Sequence, residues 1–344
     1  MKIKKVETIV AEELVQVTRG NLVESIHKGH IAVVDFKGKL IKYAGDPYRT
    51  VYARSSMKPL QAIPVVETGV ADYYHFDNAD LSLCCASHSA EKQHTERVLS
   101  ILKRAELYDD ALKCGTHPLR REDVFKDLIL QGKEVTPLYN NCSGKHSGML
   151  ATAKYMNEPT ETYHELSHPV QQRILRVISE MAEYPIEEIK LGVDGCGVPV
   201  HGLPLERIAY AYAKMTRPKE LSETRGQAVE RITSAMMAAP EMVGGTDRFC
   251  TNFMKVANGK MFGKAGAEAV YCIGDLQTGV GIAIKIEDGF GRATEPAAVE
   301  VLKQLNLLSN KELEQLKHHH RPQVTNARNE KVGELIPTFT LKEA

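Results

Sequence analysis

The sequence predicts an α+β fold in which a mainly antiparallel sheet is built from both ends of the chain around a helical middle. Three observations predict it. β-Branched segments with glycine-bearing turns occupy residues 8–44 and 260–289. The stretch between them carries apolar residues at helical spacing, and no repeat or low-complexity segment interrupts the order. Strands first and last with helices between is an α+β arrangement. The 344 residues are read as one domain, with sheet regions at 8–50 and 255–300 and a mostly helical region at 51–254.

In chain order, "EELVQVTRG", "NLVESIHKGHIAVVD" and "KLIKYAG" read as strands punctuated by Arg-Gly, Lys-Gly and Gly-Lys. "LCCASHSAE" (83–91) reads as an apolar strand running into a turn, with Ser89 capping the next helix. That helix, 89–107, places Val98, Ile101, Leu102 and Ala105 on one face. The helix at 168–184 has Pro169 in its first turn and a stripe of Val170, Ile174, Val177, Ile178 and Met181. A third helix spans 218–239, with Gly226 as its weak point. Residues 260–289 read as a strand, a hairpin turn at Gln277-Thr278-Gly279 and a second strand. A closing helix follows at 293–309, and 305–344 reads as a helix, a loop and a short extended tail. His318–His320 reads as a helix end and solvated loop and not as a ligand cluster.

Composition excludes several classes. Lys+Arg and Asp+Glu number 44 each, so nothing favours a polyanionic partner, and with no Trp and 6% aromatics no base-stacking surface is expected. Nucleic acid is therefore not an expected partner. No run of 18 apolar residues exists, so neither is a membrane. The N-terminal apolar run is broken by Glu7, Glu12 and Glu13, unlike a secretory leader. Seven cysteines, an odd number with no CxxC, read as reduced thiols of a cytoplasmic protein. A homodimer is the expected assembly.

Five stretches carry candidate chemistry. "NNCSGKHSG" (140–148) lacks the first glycine of a Walker loop, having Tyr139 there, and has His146 after Lys145. It reads as a helix start that favours anions and thiolates, or plainly as a turn. "RSSMKP" holds Ser55 and Lys58 in an S-x-x-K spacing, in which a neutral lysine can take the serine proton, as in serine β-lactamases. The spacing alone is weak, because Ser25/Lys28, Ser89/Lys92 and Ser100/Lys103 share it. With Ser56 as N-cap, Pro59 falls in the first helical turn and Ser55 just ahead of it. "DGCG" (194–197) flanks Cys196 with glycines, as a ligand approach or an Asp-Gly turn. "ASHS" is a strand-to-helix turn or a site. "GTDR" with "GKAGAE" is a plain sheet edge or a source of backbone N–H donors.

Taken together, "RSSMKP", "ASHS", "NNCSGKHSGML", "DGCGVP", "GTDR" and "GKAGAE", with "TRGNLVESIHKGH" before them, resemble the rhizobial-type, class 3 L-asparaginases from about residue 13 to 292. The resemblance implies a fold like serine β-lactamases and glutaminases, and hydrolysis of L-asparagine to L-aspartate and ammonia. It implies Ser55 with Lys58 as the leading nucleophile pair, and a second pair at Ser87 and Lys145. It also implies zinc held by Cys142, Lys145 and Cys196, and substrate contacts from Arg54 and Asp194 with His146 nearby. No departure from the family pattern occurs at these positions. Two thiolates and one amine suit zinc and leave one position open, provided the metal displaces the lysine proton. An anchoring role for zinc is favoured over a Lewis-acid role. The alternatives are a related amidohydrolase acting on glutamine or a β-lactam, and a zinc-stabilised protein that binds an amino acid without turning it over.

Overall fold

The computed structural model describes residues 10–344; residues 8 and 9 of the expected first sheet segment lie outside them. Strands β1 (Glu12–Arg19), β2 (Leu22–Val34) and β3 (Leu40–Ala44) form where the β-branched runs predict. β4 (Thr50–Tyr52), β5 (Lys190–Val193) and β6 (Pro199–Pro204) make a small three-stranded sheet inside the helical region, in the order β4-β6-β5. β7 (Met261–Gly266), β8 (Val270–Asp275) and β9 (Val280–Ile286) return to the main sheet. β10 (Gln323–Thr325), β11 (Lys331–Pro337) and β12 (Lys342–Glu343) finish it. The main sheet runs β10-β11-β1-β2-β9-β8-β7, with β3 pairing β2 and β12 pairing β3, and every pairing is antiparallel.

The α+β reading therefore holds, with the N-terminal hairpin and the C-terminal strands side by side. Backbone approach explains how the helical layer seats on the sheet. A Cβ on Gly281 of β9 would lie 1.9 Å from the Ala209 carbonyl and 2.4 Å from Ala213 N, so only glycine lets the helix Leu205–Met215 press onto this strand. The alternate residues Ile282, Ile284 and Ile286 point to the opposite face and are fully buried. The helix Thr294–Gln304 packs against β1, β8, β9 and β11.

Five expectations need correction, in whole or in part. Residues 83–86 are not a strand: the helix Asn78–Cys84 starts at a capping box in which Asp77 and Asp80 exchange side-chain and backbone bonds. The short apolar run is buried in either conformation, so its period could not decide between them. Ser89 does not cap the next helix; Glu91 precedes Lys92–Arg104, and Ser89 Oγ donates instead to the Gly244 carbonyl at 2.8 Å. Residues 260–289 are three strands. Glu268 (φ 58°) and Ala269 (φ 55°), both left-handed without being glycine, turn β7 into β8. The tail is more than a loose extension, since β11 pairs β1 through Val15↔Pro337 to Val17↔Leu335. His318–His320 also differs in part: His319 is buried, its Nδ1 2.7 Å from Glu295 and its Nε2 3.0 Å from Asn252, and His320 Nε2 lies 2.6 Å from Glu300. These are structural ties between the last helices.

Candidate active site

β4 hands the chain to a short 3₁₀ turn, Arg54–Met57, and then to the helix Lys58–Glu67. Pro59 sits in the first helical turn as expected, but the N-cap is Met57 and not Ser56, which places Ser55 inside the 3₁₀ turn. Three contacts fix this turn. The Ala53 N–H donates to the His201 carbonyl of β6 at 3.1 Å, Ser56 Oγ donates to the Ala53 carbonyl at 2.7 Å, and Tyr212 OH donates to the Ser56 carbonyl at 2.5 Å. Arg54 is held at φ 53°, a conformation that costs a non-glycine residue about 1–2 kcal/mol and persists only when its surroundings impose it.

Ser87 stands on the turn after the helix Asn78–Cys84. Its N–H donates to the Val243 carbonyl at 2.9 Å, and the His88 N–H donates to the Asn141 carbonyl at 3.2 Å, so the turn is pinned between two other segments. The helix Ser143–Tyr155, with Cys142 as N-cap, lies hard against it. A Cβ on Gly144 would come within 2.4 Å of the Leu83 carbonyl. The glycines of the "CSGKHSG" stretch therefore serve close packing of two helices, and Cys142, Lys145 and His146 are carried in on the first turn.

The polar groups form a connected chain. The Lys58 ammonium donates to Ser87 Oγ at 3.1 Å, to Cys142 Sγ at 3.2 Å and to the Ala86 carbonyl. Lys264 Nζ, from β7, donates to the same Ser87 Oγ at 2.9 Å and to the Ala265 carbonyl at 2.7 Å. Cys142 and Cys196 are neighbours that shift each other's ionisation. Lys145 Nζ donates to Cys196 Sγ at 3.1 Å. Asp194 Oδ2 lies 4.0 Å from that sulfur, and its Oδ1 accepts from Arg54 Nε at 2.8 Å and from the Gly195 N–H at 2.9 Å. His146 Nδ1 meets Tyr163 OH at 2.6 Å. All nine sequence-derived site residues (Arg54, Ser55, Lys58, Ser87, Cys142, Lys145, His146, Asp194, Cys196) thus gather in one region from four chain segments.

Two pairings differ from expectation. Ser87 is bonded by Lys58 and Lys264, and not by Lys145, whose amine is turned to Cys196. Among the described residues Lys58 bonds Ser87 and not Ser55, because its fully buried side chain reaches across to the 86–87 turn. Lys264 is the residue that sequence reading missed. A signal existed: S-x-x-K enzymes carry a second serine and a K-T-G strand, and Lys264-Ala265-Gly266 on β7 has the same Lys-x-Gly pattern.

Burial and neighbouring charge set the protonation. Lys264 is 1% exposed, and burial first, then the nearby Lys58, bring its pKa down to about 7, partly countered by Cys250. The neighbouring Cys142 holds the Cys196 thiol at about 5 against the opposing effect of burial, with Lys145 adding to the depression. Cys196 in turn, together with burial, pushes Cys142 up to about 12. Burial disfavours the Lys145 charge, but Cys196, Cys142 and Asp194 outweigh it and raise its pKa. Burial likewise opposes the Asp194 charge, and Lys145 and Arg54 overcome it, so its pKa lies below the usual carboxylate value.

Ser55 and Ser87 line one cavity of about 340 Å³, together with Lys264 and Ala267. Gly266 closes β7 onto the serine turn, since a Cβ there would stand 2.7 Å from the Ala53 carbonyl and 3.1 Å from Ser56 N. Among the described residues, the backbone N–H groups of Ser55 and Ala267 have no hydrogen-bond acceptor in the protein. Two free donors beside a serine are what an oxyanion formed there would require.

Cys142, Lys145 and Cys196 offer two sulfurs and one amine in one region, with Lys145 Nζ 3.1 Å from Cys196 Sγ. Among the described residues no group of three or more His, Cys, Asp and Glu side chains is arranged to hold a metal, so a metal here depends on the lysine amine. The set fits a zinc ion, which would take the place of the protons now shared by one thiolate, one thiol and one ammonium. His146 Nε2 and both nitrogens of His201 are buried nearby without a partner, polar atoms that a bound group would satisfy.

Comparison with known proteins places the chain. No curated protein matches it. Among the solved structures that resemble it distantly are the following three. Mglu in its native form is 14% identical with a TM-score of 0.44, covering 83% of this chain and 63% of its own. This chain thus spans less than two thirds of the length of Mglu. A putative β-lactamase from Bacteroides dorei DSM 17855 is 12% identical with a TM-score of 0.43, covering 80% and 93%. A β-lactamase from Mycobacterium bovis is 14% identical with a TM-score of 0.42, covering 80% and 94%. Among the described residues no helix is long and apolar enough to cross a membrane. The L-asparaginase II family model matches residues 15–337, nearly the whole chain. This protein is therefore an amidohydrolase and belongs to the L-asparaginase II family.

Proposed function

We propose that this amidohydrolase is an L-asparaginase working by serine–lysine acyl transfer, with Ser55 as nucleophile. The observation that carries the proposal is the Lys58–Ser87–Lys264 chain on the cavity that Ser55 also lines. Ser87 Oγ accepts from two amines, which uses both of its lone pairs, whereas Ser55 Oγ is free to attack. Lys58, once its amine is in the neutral form, takes the Ser55 proton as Oγ bonds to the side-chain amide carbon of asparagine. The Ser55 and Ala267 N–H groups hold the oxyanion. The proton then passes from Lys58 through Ser87 to the departing nitrogen, the C–N bond breaks and ammonia leaves. Water adds to the aspartyl ester with the same groups moving its proton, and aspartate and Ser55 are restored. Lys264, titrating near neutrality, can lend or take a proton at Ser87. Arg54 offers its remaining N–H donors to the substrate α-carboxylate and Asp194 its free oxygen to the α-ammonium.

Cys142, Lys145 and Cys196 would hold zinc. Bound there, zinc supplies a fixed positive charge that anchors the lysine and the carboxylate end of the substrate. The decisive experiment follows ammonia release from L-asparagine and traps the acyl-enzyme for peptide mass spectrometry. Ser55→Ala is expected to lower kcat by about 10³-fold or more while aspartate still binds. An ester found on Ser87, or full activity of Ser55→Ala, would exchange the roles of the two serines. Comparing kcat/KM for asparagine, glutamine and a chromogenic lactam tests the substrate.

A further inference from the structure

The cavity that holds Ser55 and Ser87 has a second charged end without a role in the chemistry above. Arg120 and Arg248 both line it. Arg120 lies just before the helix Glu122–Leu130, and Arg248 is the N-cap of the helix Phe249–Ala257. Among the described residues neither guanidinium has a carboxylate or any other hydrogen-bonding partner. They are close enough to oppose each other: the Arg120 pKa is lowered by burial first and by the Arg248 charge second. The carboxylates of the same cavity are engaged elsewhere. Glu268 faces Arg54 at 4.0 Å and Glu295 holds His319 at 2.7 Å. Two like charges in a concavity without a counter-ion repel, and the arrangement becomes favourable when an anion enters between them. The guanidinium fork matches a planar carboxylate bidentately, and the amide substrates of this family carry one. Arg54, Asp194, Cys142 and Cys196 do not line this cavity, so its anchoring point is separate from theirs.

We propose that Arg120 and Arg248 form a carboxylate-binding subsite of the Ser55–Ser87 cavity. The inference rests on the amidohydrolase reading for the position of the scissile bond. The carboxylate has two possible sources. One is the α-carboxylate of asparagine itself, which would then sit here and not at Arg54. The other is a carboxylate on the leaving side of a β-aspartyl dipeptide, in which water replaces an amino acid at the side-chain carbonyl just as it replaces ammonia in asparagine.

The test compares the wild type with Arg120→Gln, Arg248→Gln and the double variant, with the Lys replacements as charge-preserving controls and melting curves to confirm folding. The substrates are L-asparagine, β-aspartylglycine and β-aspartylglycinamide. Loss of a charge-assisted hydrogen bond predicts a change of about ten- to hundredfold. A rise of that size in KM for asparagine, with kcat much less changed and partial recovery in the Lys variants, assigns the subsite to the α-carboxylate. An equal loss confined to β-aspartylglycine, sparing its amide and asparagine, assigns it to the leaving group. Changes below about twofold on all three substrates overturn the proposal. A wild type that hydrolyses none of them defeats the functional reading but not the subsite. In that case calorimetric titration with succinate decides: tighter binding to wild type than to the double variant supports the subsite, and equal affinity refutes it.

Discussion

Lys264→Met tests the electrostatics of the site directly. The wild-type amine titrates at about 7, against 10.5 for a free lysine, because it is buried beside Lys58. A lysine whose folded pKa is depressed binds fewer protons folded than unfolded between those values, so its contribution to stability improves as pH rises through that window. At ~1.4 kcal/mol per pH unit, holding the amine costs about 5 kcal/mol at pH values below 7 and about 1 kcal/mol near pH 10. Methionine removes this dependence. It also strips a donor from Ser87 Oγ and from the Ala265 carbonyl, about 1–3 kcal/mol each, a loss that applies at every pH. The stability difference, variant minus wild type, should therefore fall by about 4 kcal/mol between about pH 6 and about pH 10. Urea unfolding of both proteins at the two pH values measures it. Parallel pH profiles would refute the reasoning and show that Lys264 keeps an ordinary pKa. The same variant is expected to lose about 10²–10⁴-fold in kcat, the usual contribution of a proton-transfer group.

Other outcomes follow from the same contacts. Gly266→Ala places a methyl 2.7 Å from the Ala53 carbonyl, and is expected to cost about 1–3 kcal/mol and to lower kcat by displacing the serine turn. Gly281→Ala drives a methyl into the backbone of the helix Leu205–Met215; about 3 kcal/mol of stability should be lost in thermal melts, with kcat of the folded fraction kept. Cys196→Ser and Cys142→Ser should each lower bound zinc by about 10²-fold or more in affinity, read by plasma mass spectrometry after dialysis against a graded chelator. Arg54→Ala should raise KM about ten- to hundredfold, because it frees Asp194 from its 2.8 Å partner as well as removing a substrate donor.

The sequence by itself determined the outline of the fold and the candidate residues. β-Branched segments with glycine-bearing turns at both ends and 3.6-period segments between them placed the sheet and the long helices, since branched side chains fit a pleated surface and the helical period records which face leaves water. Short motifs with unusual residue types supplied Ser55, Lys58, Ser87, Cys142, Lys145 and Cys196. Only the tertiary structure decided which amine meets which acceptor. Lys145 could reach Ser87 or Cys196 from a helix start, and the thiolate took it; Lys58 could face Ser55 or Ser87, and burial sent it across to the 86–87 turn. Lys264 had only the Lys-x-Gly pattern of a small-residue strand as a local signal, and its depressed pKa arises from neighbours far away in the chain. Arg120 and Arg248 were equally silent: a charged residue in a loop becomes a binding group only when folding sets it in a cavity and gives its possible counter-ions other partners. Local pattern is encoded in sequence spacing, whereas pairing and pKa depend on distances that exist only after the chain has closed on itself.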